Sequence, residues 1–176
     1  AWPWHTAGQA LLLGDAAHAI VPFHGQGMNA AFEDCSLFDA LLDRHEHWPE
    51  LYAAFEAERR PDAEAIAAMA VENYGEMRER VLDPRFLRLK TWALELERRF
   101  PGRFIPRYSM VMFHPEIPYR EALRRGKVQQ EILDELDRAP DSRGAGDAGN
   151  PGSAGNAGGT RPFDAALAER LIAERL

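Results

Sequence analysis

The stretch from Leu11 to Cys35, LLLGDAAHAIVPFHGQGMNAAFEDC, constrains this chain more than any other. Leu11 to Leu13 is a short apolar run suited to a buried strand, and Gly14 and Asp15 end it. Pro22, Gly25 and Gly27 mark a tight loop. From Met28 the apolar residues Met28, Ala31, Phe32, Cys35, Phe38, Leu41 and Leu42 recur at helical spacing. The unit is therefore strand, Gly-Asp turn, Gly-rich loop, helix.

Such a unit suits an anionic or electron-rich ligand. A Gly-rich loop lets a ligand approach the backbone closely, and the helix it opens aims free N–H groups and a positive dipole end at that ligand. Asp15 can accept hydrogen bonds from a chain of hydroxyls. A plain strand-turn-helix corner, with Asp15 only satisfying turn amides, explains the loop chemistry equally well.

The combination GDAAHAIVPFHGQGMNAAFEDC is more specific than its parts. It resembles the second flavin-binding motif of the single-component aromatic hydroxylases, which use FAD and NAD(P)H. Within that family, the form PFHGQGMNAAFEDC is most similar to the branch that acts on L-kynurenine. The resemblance implies that Asp15 holds the ribityl chain of FAD and that Gly25, Gln26, Gly27, Met28 and Asn29 lie at the flavin ring. The helix N-terminus would then sit by the edge where reduced flavin is anionic, which a helix dipole stabilises. Pro22, Phe23 and His24 match positions that border both flavin and substrate. Phe23 supplies an apolar wall and His24 a hydrogen-bonding group. His18 reads as a packing or hydrogen-bonding residue, and His5 as a polar surface residue.

Composition narrows the partners. A net charge of −7 argues against nucleic acid or an anionic membrane surface. The one cysteine, Cys35, excludes a disulfide framework and a zinc cluster. Its place on the apolar face of a predicted helix makes it a buried structural thiol. The six histidines lack metal-ligand spacing, so no metal site is expected. No apolar run approaches the length of a membrane span, and a soluble, cytoplasmic protein without a membrane anchor is the expectation. That matches the soluble bacterial type of the resembled family.

The chain starts with Ala, and AWPWHTAGQ shows neither a helix cap nor strand alternation. No GxGxxG occurs, so the dinucleotide-binding βαβ unit is not among these residues. In the resembled family that unit is N-terminal, with the sheet that pairs with Leu11 to Leu13. The expectation is the C-terminal part of a longer enzyme, its main partner being the N-terminal part of the same enzyme. The complete fold is then α/β, a Rossmann-like FAD-binding monooxygenase fold. Residues 1–176 themselves are mostly α-helical with one or two short strands. On that reading these residues alone neither hold FAD tightly nor turn over.

Four regions follow. Residues 1–45 carry the Gly-Asp motif, the loop and its helix, as the end of an FAD-binding domain. Residues 46–138 form a helical region. One helix spans Trp48 to Glu58, Pro61 interrupts, and a second runs from Asp62 to about Val81. In the second helix Ile66, Ala70, Asn73, Met77 and Val81 recur every three or four residues, which puts Asn73 on the apolar stripe. A core amide bonded to a neighbouring backbone accounts for it, as does a substrate contact. A third helix runs from Pro84 to Phe100 and is ended by Pro101 and Gly102. Phe104 to His114, FIPRYSMVMFH, reads as a short strand or apolar loop, with Tyr108, Met110 and Met112 on one side. A last helix spans Pro118 to Leu136. Residues 139–161, nearly without large apolar side chains, read as a flexible linker. Residues 162–176 form a short amphipathic helix, marginal alone, that docks on the body or on a partner.

The segment Ala67 to Val81, AxMAxENYGEMRERV, also resembles the kynurenine-directed branch, as does FIPRYSMVMFH. The resemblance implies that Asn73, Glu76, Met77 and Tyr108 line a substrate pocket. It further implies FAD as cofactor, NADPH as co-substrate, and L-kynurenine and O2 as reactants. No side chain of this part would then be catalytic, since the flavin performs the chemistry. Two alternatives remain open: an FAD-dependent aromatic hydroxylase with another substrate, and a non-catalytic helical module.

Overall fold

The computed structural model describes residues 2–6, 8–80, 82–140 and 162–176. They form two compact units, Ala1–Glu79 with Glu116–Leu123, and Arg80–Pro115 with Arg124–Leu176. Most of the stretch read as a linker, and Val81, lie outside the described residues.

The first unit opens with a small antiparallel hairpin. Strand β1 (His5–Thr6) pairs with β2 (Ala10–Leu11), His5 opposite Leu11 and Thr6 opposite Ala10. The expected buried strand at Leu11 to Leu13 is thus corrected: only Leu11 is in it, and Leu12 is exposed, its N–H bonded to the Trp4 carbonyl (2.7 Å). The partner strand comes from the very stretch that shows no alternation, because two residues are too few to display a period of two.

Gly14 follows with φ +56°, a backbone conformation that side-chain-bearing residues rarely adopt. It turns the chain into the one-turn helix α1 (Asp15–His18). A 3₁₀ turn at Pro22–His24 is closed by Gly25 at φ +66°, whose N–H donates to the Pro22 carbonyl (3.1 Å). Helix α2 (Gly27–Leu42) begins two residues later.

Helix α2 buries Ala30, Asp34 and Leu41, with Leu37 and Phe38 partly covered, against Trp4, Leu51 and Phe55. The apolar spacing therefore splits between two faces: Met28 and Phe32 are 69% and 63% exposed. Cys35 is also exposed, which corrects its reading as a buried thiol. The packed face runs through Asp34, and one residue further along a helix is about 100° round the axis.

Helix α3 (Trp48–Glu79) is one continuous element with Pro61 inside it, so the expected interruption does not occur. The buried positions Leu51, Phe55, Arg59, Asp62, Ala63, Ile66, Met69 and Ala70 run as one stripe through the proline. Pro61 itself is exposed, where water can take the carbonyl that its missing N–H leaves. Packing on both flanks outweighs the local cost. The stripe ends before the site residues: Asn73 is half-buried and Met77 is 57% exposed.

The second unit contains α4 (Pro84–Arg99), α5 (Arg107–Phe113), most of α6 (Tyr119–Arg138) and α7 (Ala165–Arg175). Helix α4 starts as its sequence predicts: Pro84 is the first helical residue, and the Asp83 carboxylate accepts from the Arg85 N–H (2.9 Å). Asp164 caps α7 in the same way through the Leu167 N–H (3.0 Å). One core joins Leu89, Trp92 and Leu96 of α4 to Phe104, to Ile132, Leu133 and Leu136 of α6, and to Ala168, Leu171 and Ile172 of α7. The C-terminal helix is therefore part of this unit's core.

The strand or loop read at FIPRYSMVMFH is corrected to helix α5, in which the neighbours Met110 and Val111 are both buried. A period of two would have put them on opposite faces. Close approach to α6 is possible because position 126 is glycine: a Cβ there would lie 2.6 Å from Arg107 Cδ. Among the described residues, no helix is long and apolar enough to cross a membrane.

Candidate functional site

The first unit gathers most of the residues singled out in the sequence around the start of α2. Asp15 is exposed at the start of α1, and its Oδ1 lies 4.0 Å from where a Cβ on Gly27 would be. The carboxylate and the first turn of α2 thus face the same open space. Gln26, the residue before the helix, makes no side-chain capping bond, and the first turn holds no acidic residue. Its N–H groups and dipole end are left for whatever occupies that space.

The loop leading there is held from behind. Asn73 Nδ2 of α3 donates to the Phe23 carbonyl (2.6 Å), and Met77 Sδ is 3.8 Å from the same nitrogen. The Phe23 ring stacks on Tyr74 at 4.3 Å between centroids. His24 is buried, whereas Pro22, Gly25, Met28 and Asn29 are exposed. The Gln26 side chain turns inward, its Oε1 accepting from Asn29 Nδ2 (2.9 Å) and the Tyr119 hydroxyl (3.3 Å). Glu76 is half-buried on α3. Tyr108 belongs to α5 in the second unit and is 53% exposed.

Beneath the loop lies a charged network that sequence reasoning missed. Asp34 is fully buried on α2. Its Oδ2 accepts from the Gly14 N–H (2.8 Å) and is 2.7 Å from His18 Nε2; its Oδ1 accepts from Arg59 Nε (2.6 Å). Arg59, on α3, also donates to the Ala30 carbonyl (2.9 Å), pairs with Glu33 (2.8 Å) and lies 5.8 Å over the Tyr119 ring. Burial pushes the Asp34 carboxyl up, but the bonds from His18, Gly14 and Arg59 outweigh it and hold it below the ordinary carboxylate range. Burial, then the nearby Glu33, push the Tyr119 hydroxyl well above its usual value. The available signal was a lone aspartate on the face that carries Ala30 and Leu41; it was hidden because the neighbouring residues Phe32 and Cys35 defined a different face.

A carboxyl held low in the folded state adds stability above its unfolded pKa of about 3.9 and loses it as pH falls through the folded value. Stability of the first unit should therefore drop with acid below about pH 4, and Asp34→Asn should flatten that limb. Denaturant unfolding followed by tryptophan fluorescence across this range checks it. An unchanged acid limb in the variant would show that other carboxylates govern it.

The segment that builds this site is also the one that a family model matches: residues 3–70 fit the FAD binding domain family. Among individual proteins, the chain is similar to kynurenine 3-monooxygenases. It is 55% identical over 130 residues to that of Stenotrophomonas maltophilia (strain K279a), covering 74% of this chain and 28% of the relative. It is 55% identical over 135 residues to that of Xanthomonas oryzae pv. oryzae (strain PXO99A), covering 77% and 30%. For the Xanthomonas axonopodis pv. citri (strain 306) enzyme the figure is 54% over 135 residues. The chain spans about three tenths of the length of these curated relatives. The resemblance read from the motif is thereby borne out.

The residues present fit a flavin. Asp15 offers an exposed acceptor for the hydroxyls of a ribityl chain, the uncapped turn at Gly27 suits an anionic ring edge, and the missing side chain at Gly27 leaves the approach open.

Proposed function

We propose that this chain is the C-terminal part of an FAD- and NADPH-dependent monooxygenase that hydroxylates L-kynurenine to 3-hydroxykynurenine. One observation carries the reading: identity of 55% extends over 130 residues, well beyond the matched segment 3–70, so it includes more than a flavin loop. A cytoplasmic location and O2 as oxidant go with it.

When bound, FAD would supply the redox chemistry that activates oxygen at the expense of NADPH. This chain's residues have the other tasks. Asp15 would hold the ribityl hydroxyls, and the N–H groups of Gly27, Met28 and Asn29 would stabilise negative charge on the ring. Asn73 would fix the loop through the Phe23 carbonyl, leaving its side-chain oxygen for substrate. Pro22, Phe23, His24, Glu76 and Met77 would shape the substrate's surroundings and exclude water, and the resemblance implies a substrate contact for Tyr108. The aniline ring of kynurenine is already electron-rich, so this role needs no strong acid or base.

The test is NADPH consumption by the full-length enzyme with L-kynurenine, with chromatographic identification of the product. Tyr108→Phe removes one hydroxyl; if it bonds the substrate carboxylate, kcat/KM should fall about ten- to hundredfold, about 1.5–3 kcal/mol. Asn73→Ala should lower it by a similar factor while FAD content stays near the parent's. If a simple aromatic acid is hydroxylated and kynurenine is not, the flavoenzyme stands and the substrate falls.

A further inference from the structure

We infer that Asp34, clamped by Arg59 and His18, is a positioning residue for the flavin: it fixes the Gly14 backbone and, through it, the Asp15 carboxylate opposite the first turn of α2. This rests on the FAD-binding reading above and names residues of that site that do not themselves face the open space.

The geometry of Gly14 is determined on three sides. Its N–H is bound to Asp34 Oδ2 (2.8 Å), and its carbonyl accepts the first helical bonds from Ala17 and His18 (2.9 Å each). Its Cα packs so closely on α2 that a Cβ would meet that of Ala31 at 3.3 Å. Asp15 is the next residue, so the chain enters it from a fixed point. The same aspartate is rooted in α2, and Arg59 ties that helix to α3 at Ala30, Glu33 and Asp34. One buried group thus sets the spacing between the two shoulders of the site.

A buried ion pair is a poor device for stability alone, because desolvation offsets most of the attraction and apolar residues of similar volume often do as well. Apolar residues could not, however, accept the Gly14 N–H or orient His18. The arrangement is explained by geometry, and positioning has consequences that mere core packing lacks. Asp34 is fully buried and does not itself face the space beside Gly27, and its direct bond toward the site runs through Gly14 to Asp15.

The experiment measures the FAD dissociation constant and melting temperature of the full-length enzyme, by flavin fluorescence and calorimetry. The variants are Asp34→Asn, Asp15→Ala and the double variant. Asp34→Asn should weaken FAD binding about tenfold or more, as Asp15→Ala also should, through the loss of one well-placed charged acceptor. In the Asp15→Ala background it should add no more than about a further twofold, since the group it places is gone. A lowered melting temperature with an unchanged dissociation constant, or two losses that multiply in full, would overturn the inference. Should Asp34→Asn not fold, His18→Ala decides: it should weaken FAD binding several-fold, and His18→Gln, which keeps a donor, should restore it. Binding within about twofold of the parent in His18→Ala would overturn the inference as well. A parent that binds no FAD overturns the flavin reading and this inference together. A parent that binds FAD but ignores kynurenine, with the variants behaving as expected, upholds the inference and overturns only the substrate.

Discussion

Replacing Arg59 by leucine should destabilise the first unit by about 3–5 kcal/mol, measured by urea denaturation. Asp34 would remain fully buried, with its main cationic partner gone and an apolar side chain where the Nε donor had been. The Ala30 carbonyl and Glu33 would lose a partner at the same time. His18 and the Gly14 N–H would still bond Asp34, so the loss stops short of a wholly isolated charge. Two further results should accompany it. Acid should narrow the gap between variant and parent, because protonating Asp34 removes the orphaned charge. The double variant Arg59→Leu/Asp34→Leu should recover much of the loss, at the expense of the Gly14 contact. A cost below about 1 kcal/mol for Arg59→Leu would mean that His18 alone satisfies Asp34.

Removing residues 162–176 should unfold the second unit. Ala168, Leu171 and Ile172 are almost wholly buried against Trp92, Leu96, Phe104 and Ile132, and deletion would expose that face to water. Truncating one such side chain, as in Ile172→Ala, typically costs about 2–5 kcal/mol, and the deletion removes three at once. Circular dichroism with thermal melting should show loss of more helix than the excised residues hold, and the product should aggregate through its uncovered apolar surface. Helix α7 alone would be too short to persist in water, so its order comes from this packing. A truncated protein that melts like the parent would place α7 outside the core.

Where local rules suffice, the sequence was readable. Pro84 announces the start of α4, and the structure adds Asp83 as its cap. Tyr119, Ala122, Leu123, Ile132, Leu133 and Leu136 mark the inward side of α6, and all but the half-buried Leu123 are buried. Gly14 and Gly25 fall where the turns need positive φ. The likeness to FAD enzymes also lay in a contiguous stretch, because a cofactor loop is a local device: glycines, an aspartate and a helix start close together in the chain.

Other features depended on partners far along the chain. Pro61 signals a break, yet α3 runs through it because buried residues on both sides hold one axis. Residues 107–113 alternate like a strand, yet they form α5, which Gly126 allows to approach α6. The apolar spacing of α2 suggested one inward stripe, but Phe32 and Cys35 are exposed while Asp34 is buried.

The sequence by itself determined that a Gly-Asp turn and a Gly-rich helix start would be joined. Only the tertiary structure decided how that turn is held. Gly14 and Asp34 are twenty residues apart and Arg59 a further twenty-five, separations at which no periodicity connects them. A buried carboxylate is tolerable only where donors from several elements converge, and that convergence exists only once α1, α2 and α3 have packed.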